Sequence, residues 1–293
     1  MAFLMQLLFS GLAIGSVYAL IGLGYSLIYK ASGLMTFVQG DLLTLGAFLG
    51  LTFYRILGLP FIVSVACTMA VAFALGFLLE KGIIRRLLNK KVMAIYIILA
   101  TIAVSYIVQN AAQLIWGSTT QYFPSVWNVT GIKIFGAHIT MESVTAFFVG
   151  LLTMLLLHLF MAKTKMGTAM RAASMDAIAA ESCGINCSFS TGLTWGLAAA
   201  MAAIAGIFVG PLYGVYVTLG ANIGRKGFAG AVIGGYGNMY GAMVGGLLLG
   251  VVETMAAGYI SSSLKNLVAY LLLLIFLFIK PTGLFNEKAI VDV

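Results

Sequence analysis

Residues 33–50 read GLMTFVQGDLLTLGAFLG, an apolar stretch interrupted by Gln39, Gly40 and Asp41 in a row. A charged side chain near the centre of a membrane helix costs about 2.5–3.5 kcal/mol on insertion scales, so such residues usually face a cavity or a partner. Glycine permits a helix break or the close approach of another backbone. The stretch therefore predicts an interrupted helical segment inside a membrane bundle, with Asp41 facing a cavity or a partner.

The composition of the whole chain supports a membrane protein. Of its 293 residues, 62% are apolar and only 8% are charged, and the mean hydropathy is +1.08. Soluble domains carry about 25% charged residues. We therefore expect an all-α fold, a polytopic membrane helical bundle, that forms a single transmembrane domain over residues 1–293.

Apolar runs of about 20 residues predict membrane-spanning helices. Two segments, 33–54 and 221–237, are apolar but rich in Gly and interrupted by polar residues. We expect these two to be broken or re-entrant segments, or short helices buried in the bundle, which gives eight or nine segments in total. The uninterrupted runs are 4–29, 60–80, 93–116, 141–162, 189–212, 239–258 and 264–280.

The basic residues indicate the orientation of the chain. Lys and Arg concentrate in 81–91 and 163–188, whereas the polar loop 117–140 contains a single Lys. Cytoplasmic loops of membrane proteins carry such an excess of positive charge. The rule places 81–91 and 163–188 in the cytoplasm and 117–140 on the extracytoplasmic side. The net charge of +8 is thus a topology signal and does not imply a nucleic-acid partner.

Many of the 35 glycines recur at the small-xxx-small spacing that lets membrane helices approach closely. There is also a faint internal echo between TFVQGDLLTLGAFLG and FAGAVIGGYGNMYGAMVGG, because each places a Gly before a short polar residue, Gly40–Asp41 and Gly237–Asn238. Paired interrupted segments in the two halves of a transporter point to a substrate path. Chance similarity between Gly-rich stretches is the alternative. The spaced pairs are Gly11/Gly15, Gly46/Gly50, Gly192/Gly196, Gly230/Gly234, Gly237/Gly241 and Gly246/Gly250.

Polar residues at membrane depth are the candidates for a translocation path. Asp41 has three interpretations: a cap for the helix that starts there, favoured by the helix dipole, a substrate contact, or a proton carrier. The cap is our preferred interpretation. The sequence contains no paired-His, nucleophile-elbow or paired-carboxylate motif, and Cys183 and Cys187 lack metal-ligand spacing, so we expect no catalytic residue and no metal site. The candidate path residues are Thr36, Gln39, Gly40, Asp41, Gln109, Gln113, Tyr236, Asn238 and Glu253.

The segment 163–188 is the most informative polar stretch. Residues 168–182 are rich in Ala and lack Gly and Pro, which predicts one short helix that stops at Gly184. On one helix, Arg171, Met175 and Ile178 share a face, with Asp176 and Glu181 on other sides. Such a helix either connects two spans or docks on a cytoplasmic partner.

Here the chain resembles a known family. MGTAMRAASMDAIAAESCGIN is similar to the cytoplasmic signature of the LivH/LivM-type permeases, the membrane subunits of branched-chain amino-acid ABC importers. The N-terminal block SGLAIGSVYALIGLGYSLIYKASGLMTFVQGDLLTLGAF, the Gly-rich block KGFAGAVIGGYGNMYGAMVGGLLLGVVE and the C-terminal KPTGLF also resemble that family, and the closer likeness is to the LivH branch. These four ordered blocks cover nearly the whole chain.

The resemblance implies the fold shared by branched-chain amino-acid and ribose-type permeases, in a bacterial inner membrane. The segment from Arg171 to Gly184 would be the coupling helix that sits in a groove of a cytoplasmic ABC ATPase. A second permease subunit, LivM-like or a copy of this chain, would complete the path, and a periplasmic binding protein would deliver the substrate. This chain has no Walker motif and would need no cofactor, because ATP would be bound by the partner subunits.

The sequence departs from the family pattern within the candidate path. It reads TFVQGD where many members have NFAHGE or NFAQGE, and GGYGNMYGA where many have GGLGSIPGA. A urea or amide substrate therefore stays open beside an amino acid. From a different functional class, a proton-coupled secondary transporter or channel that uses Asp41 or Glu253 is the alternative.

Overall fold

The computed structural model describes residues 2–90, 92–124, 131–134 and 137–285. They form a bundle of α-helices, with a two-stranded antiparallel ladder in which Ile132 pairs with Ile139. The helices are α1 Ala2–Ser32, α2 Gln39–Leu51, α3 Phe61–Leu79, α4 Arg85–Asn89, α5 Ala94–Trp116, α6 Met141–Lys163, α7 Lys165–Met175, α8 Ala177–Ser182, α9 Cys187–Tyr213, α10 Leu219–Gly234, α11 Met239–Tyr259 and α12 Lys265–Ile279; the strands are β1 Ile132–Ile134 and β2 Ala137–Ile139.

The predicted spans are confirmed. In the described part of the chain, seven helices are long and apolar enough to cross a membrane, and they correspond to the seven uninterrupted apolar runs. One of them is α3 together with α4, which continue each other through a π-helical turn at Glu80–Ile84. The two Gly-rich segments form the short, largely buried helices α2 and α10, as expected from their interrupted sequences.

The centre of the bundle consists of α1, α2, α9, α10 and α11. Helix α1 runs antiparallel to α11, because Gly11 lies beside Val251 and Gly15 lies beside Leu247. Small residues bring these backbones together, which confirms the packing predicted from the glycine spacing. Helices α5 and α12 lie outside this centre and turn many large apolar side chains outward, toward lipid or a protein partner.

The closest contact of the two short helices involves three glycines. A methyl group on Gly224 of α10 would lie 2.7 Å from the Cα atom of Gly40 at the start of α2. A methyl group on Gly40 would meet the carbonyl carbon of Gly220 at 3.0 Å. The interpretation of Gly40 as a close-packing residue is confirmed, and its contact partner is α10.

The two ends of the bundle agree with the predicted grouping of the loops. At one end, the guanidinium of Arg85 donates to the backbone oxygen of Ser188, so 81–91 and 163–188 lie together. At the opposite end, Gln121 and Val215 form a β-bridge. The predicted extracytoplasmic loop 117–140 lies at this second end and falls partly outside the described residues.

The single helix predicted over 168–182 is wrong. The segment folds as two helices, α7 and α8, that meet at Asp176. The Asp176 carboxylate accepts hydrogen bonds from the backbone N–H groups of Ile178 and Ala179, at 2.9 and 3.0 Å. Asp176 itself has extended backbone angles, and it caps the N-terminus of the new helix α8. The predicted stop at Gly184 is confirmed, since α8 ends at Ser182 and Gly184 has a φ of 82°.

Candidate translocation site

The start of α2 opens into a cavity of about 440 Å³. Its walls come from α1, α2, α5, α10 and α12. Ser105 is the central residue of the spanning helix α5, so the cavity lies near the middle of the membrane-spanning bundle. The lining residues are Tyr25, Phe37, Gly40, Asp41, Ile102, Ser105, Tyr106, Gln109, Gly220, Ala221, Gly224, Arg225, Phe228, Tyr270 and Leu273.

Two side chains of α5 hold the carboxylate of Asp41 in this cavity. The Gln109 amide donates to Asp41 Oδ1 at 2.8 Å, and the Ser105 hydroxyl donates to Asp41 Oδ2. Asp41 is only 1% exposed. The predicted helix cap is wrong, because α2 begins without a side-chain cap and the carboxylate bonds to another helix. Asp41 is therefore a fixed acceptor at the cavity wall.

Three of the nine candidate path residues line this cavity: Gly40, Asp41 and Gln109. Ser105 was missed, although the sequence contains a signal for it. Counting back from Gln109 in steps of four gives Ser105 and then Thr101, which form one polar stripe on α5. The Thr101 hydroxyl accepts from the backbone N–H of Phe37 at 3.3 Å, so this stripe faces the start of α2.

Three other candidates near α2 and α5 lie apart from the cavity lining. Gln39 is fully buried, and its amide donates to the carbonyl of Ala198 in α9 at 2.7 Å. Thr36 is buried in the turn before α2. Gln113 is exposed one turn beyond Gln109. These side chains position α2 or face outward and do not line the described cavity.

The second half of the predicted echo has a different role. Asn238 caps α11, because its side-chain oxygen accepts from the backbone N–H of Gly241 at 3.0 Å. Tyr236 packs its ring against Tyr29, with 4.8 Å between the ring centroids. The echo segment 228–246 spans the end of α10 and the start of α11, and its Gly237–Asn238 pair precedes the spanning helix α11, whereas the helix that meets α2 is α10.

Glu253 belongs to a buried polar cluster. Its carboxylate lies 2.5 Å from the ammonium of Lys226 and accepts a hydrogen bond from the Tyr18 hydroxyl at 2.9 Å. Lys226 was missed, although a carboxylate at membrane depth calls for a basic partner and Lys226 stands within a Gly-rich apolar segment. Glu253 is thus held by an ion pair and does not line the cavity that contains Asp41.

The segment from Arg171 to Gly184, which the family resemblance predicts to be a coupling helix and which we call the coupling segment, lies at the end of the bundle that contains 81–91. Most of its side chains are exposed or half-buried. The side chains of Met175 and Ile178 are 79% and 81% exposed. Arg171 and Glu181 are also exposed. The break at Asp176 separates Arg171 and Met175 on α7 from Ile178 on α8, so the three do not share a face of one helix. Met175 and Ile178 remain as two exposed apolar side chains, three residues apart, on either side of the break.

The fold and the cavity define a polytopic helical membrane protein with a polar site near mid-depth, as in a transport permease. The family model described as "Branched-chain amino acid transport system / permease component" matches residues 7–277. This chain belongs to that family of branched-chain amino-acid transport permeases.

Curated relatives cover nearly the whole chain. The permease protein LivH of the high-affinity branched-chain amino acid transport system of Salmonella typhimurium is 33% identical over 98% of this chain and 97% of its own length. The corresponding protein BraD of Pseudomonas aeruginosa is 32% identical over the same shares. A probable branched-chain amino acid transport permease protein LivH of Methanocaldococcus jannaschii is 24% identical over 85% of this chain and 79% of its own.

Proposed function

We propose that this chain is the permease subunit of an ATP-binding-cassette importer that moves branched-chain or related aliphatic amino acids through the cytoplasmic membrane. The observation that carries the proposal is the cavity near mid-depth, which places a fixed carboxylate beside apolar walls. Its volume of about 440 Å³ is within the usual range for small-molecule sites.

The cavity offers complementary groups for an aliphatic amino acid. The carboxylate of Asp41 attracts the substrate ammonium, while Ser105 and Gln109 hold the two carboxylate oxygens of Asp41 in place. Phe37, Ile102, Phe228 and Leu273 provide apolar contacts for a branched side chain. Urea has no aliphatic part to use these walls, which favours an amino acid over urea.

The two ends and the open side of the bundle offer surfaces that support the proposed partners. Met175 and Ile178 are exposed apolar anchors for a groove of a cytoplasmic ABC ATPase, which would bind and hydrolyse the ATP. An extracytoplasmic binding protein would dock at the opposite end. A second permease subunit would pack beside α5 and α12 and enclose the cavity, and lipid would cover the remaining apolar surface.

The ion pair of Glu253 also bears on the alternative of a proton-coupled transporter. The Glu253 carboxylate lies 2.5 Å from the Lys226 ammonium and does not line the cavity that contains Asp41. Its position outside that cavity makes it the weaker of the two candidates for a proton carrier in the path. Asp41 is the one remaining candidate carrier of the two, and an amide in its place tests that role directly.

The test is uptake of labelled leucine by proteoliposomes that contain this chain, its ATPase and its binding protein. We expect uptake that requires ATP and persists when a protonophore removes the proton gradient. Gln109→Ala should lower uptake several-fold, because it removes one of the two groups that hold Asp41. The matched control Gln113→Ala lies one turn further along α5, outside the cavity lining, and should leave uptake unchanged.

Two results would contradict the proposal. One is uptake that stops with the proton gradient while ATP is present, above all if Asp41→Asn abolishes it. The other is the absence of ATP-dependent uptake of any aliphatic amino acid by the assembled wild-type system.

A further inference from the structure

A second cavity adjoins the one that contains Asp41. It has a volume of about 370 Å³ and shares Arg225 and Tyr270 with the first cavity. Its walls reach the C-terminal end of α9 and the N-terminal end of α12, so it extends toward the end of the bundle that contains Gln121. The lining residues are Tyr18, Tyr213, Tyr216, Leu219, Asn222, Ile223, Arg225, Lys226, Lys265, Asn266 and Tyr270.

This second cavity is cationic. Arg225, Lys226 and Lys265 line it, and its lining contains no acidic residue among those that the structure describes. The charge of Lys226 is balanced by Glu253 at 2.5 Å. The Lys265 ammonium lies 5.8 Å from the centre of the Tyr213 ring, which is a cation–π contact.

Arg225 differs from Lys226 because its charge is not neutralised by an ion pair within the described residues. Its Nε donates to the backbone oxygen of Ala221 at 3.0 Å, and one terminal nitrogen donates to the side-chain oxygen of Asn222 at 2.7 Å. Both contacts lie within α10. A guanidinium has five N–H donors in a planar fork that matches a carboxylate, so donors remain for a ligand.

The two cavities therefore present charges in a definite order. A solute from the side of the second cavity meets positive charge first, then Arg225 on the wall common to both cavities, and then the carboxylate of Asp41. An amino-acid zwitterion carries a carboxylate and an ammonium on one carbon atom. A sugar offers neither group, and an amide or urea lacks the carboxylate.

We propose that Arg225 binds the α-carboxylate of the amino acid in transit, receiving it from the cationic cavity and holding it while the ammonium turns toward Asp41. This inference rests on the proposed function and adds the group that distinguishes amino acids from uncharged solutes. Arg225 is suited to the role because it is exposed and lines both cavities, whereas Lys226 is buried against Glu253.

The experiment separates the two charges of leucine. Saturation-transfer NMR on the full-length chain in lipid nanodiscs would use two probes with the leucine skeleton: 4-methylpentanoate, which has only the carboxylate, and leucinamide, which has only the ammonium. We expect the wild type to bind both. Arg225→Gln should weaken the binding of 4-methylpentanoate about tenfold, as expected for loss of a charge-assisted hydrogen bond. Its affinity for leucinamide should stay within about twofold of the wild-type value. Asp41→Asn should show the reverse preference.

Two variants control for charge and folding. Arg225→Lys keeps the cation and should retain most of the 4-methylpentanoate signal. Arg86→Gln removes a charge from a separate surface cavity beside Lys81 and Asn89 and should bind both probes like the wild type. The contacts of Arg225 lie within its own helix, so its loss leaves the packing between helices in place.

The inference is overturned if the wild type does not bind 4-methylpentanoate, if Arg225→Gln binds it as well as the wild type does, or if Arg225→Gln loses both probes equally. The leucine-uptake assay is independent of these outcomes. If the wild-type assembly takes up leucine but Arg225→Gln binds 4-methylpentanoate as the wild type does, only the inference is rejected. If the wild-type assembly takes up no leucine, the proposed function is rejected.

Discussion

The residues Lys226, Glu253 and Tyr18 place a charged cluster in the interior of the bundle. The Lys226 and Glu253 side chains are 11% and 5% exposed. Removing water from two charges costs several kcal/mol per ion, and the attraction between them returns this cost only when both are present. The intact pair should therefore contribute little net stability to the protein. Loss of one partner, however, should be costly, because it leaves an unpaired charge at the contact between α10 and α11.

This view predicts an asymmetric response to substitution. Lys226→Met should lower the free energy of unfolding by about 3–5 kcal/mol, because it leaves Glu253 buried without its cation. The double variant Lys226→Met/Glu253→Leu should recover much of that loss. Equilibrium unfolding in mixed detergent micelles measures both, with the exposed Lys280→Met as the control. Equal destabilisation by the single and double variants would show that the pair itself stabilises the bundle.

The residues that the sequence revealed and those that it concealed differ in a physical way. Asp41 and Gln109 stand out because a polar group in an apolar run has few explanations. Ser105 is small and common in membrane helices, so it becomes informative only as part of the stripe that faces Asp41. Arg225 and Lys226 lie within GANIGRKG, where the abundant glycine indicates backbone packing and the sequence alone does not show that the two basic side chains face a cavity.

At the scale of elements, the crossing of α2 and α10 depends on glycine at the contact. A methyl group on Gly220 would lie 2.6 Å from the carbonyl carbon of Gly40, and the same methyl group would also meet the Thr44 hydroxyl. That hydroxyl already accepts a hydrogen bond from the Gly220 N–H at 2.8 Å. There is no flexible side chain here that could move aside, so the two helices themselves would have to separate.

Gly220→Ala should therefore destabilise the protein by about 1–3 kcal/mol, the usual cost of overpacking. Gly82→Ala is the matched control, because a methyl group there would meet no other part of the described structure within 4 Å. The difference in thermal unfolding midpoint between these variants measures the effect. If the two variants unfolded at the same temperature, the close crossing would not be needed for stability.

The coupling segment shows where sequence patterns are weak. Its Ala-rich composition favours helix at every position, which concealed the break at Asp176. An Asp followed by helix formers is also an N-cap signal, and here the cap interrupts the run. The break at Asp176 separates α7 from α8, and the exposed side chains of Met175 and Ile178 lie on either side of it.

If this end contacts the ATPase, polar substitutions should weaken the assembly. Met175→Ser with Ile178→Ser should lower the amount of ATPase that copurifies by about tenfold or more, since buried apolar anchors at interfaces contribute 2 kcal/mol or more. Membrane insertion should be unchanged, because both side chains are exposed. Leu57→Ser, exposed at the opposite end, is the control. Copurification at wild-type levels would place the ATPase contact elsewhere.

At the scale of the whole molecule, the pairing of loops fixes which segments share an end of the bundle. The spans were predictable because each needs its own apolar run, independent of its neighbours. The cavity was not, since its walls come from five helices that are distant in the chain. The charge bias adds the orientation: the end with Arg85 and Ser188 should face the cytoplasm.

Cysteine labelling tests that orientation with one native cysteine and one introduced cysteine. Cys183 is exposed after α8, and Ser118 is exposed just after α5 at the other end of the bundle. Each labelled cysteine is kept in a variant in which all other cysteines are replaced by Ser. A membrane-impermeant maleimide should modify the Ser118→Cys variant in intact cells. The same reagent should modify the variant with Cys183 only after the membrane is permeabilised. The opposite labelling pattern would show that the bundle has the inverse orientation in the membrane. The cationic cavity would then lie on the cytoplasmic side, so that the order from this cavity to Arg225 and Asp41 would apply to export.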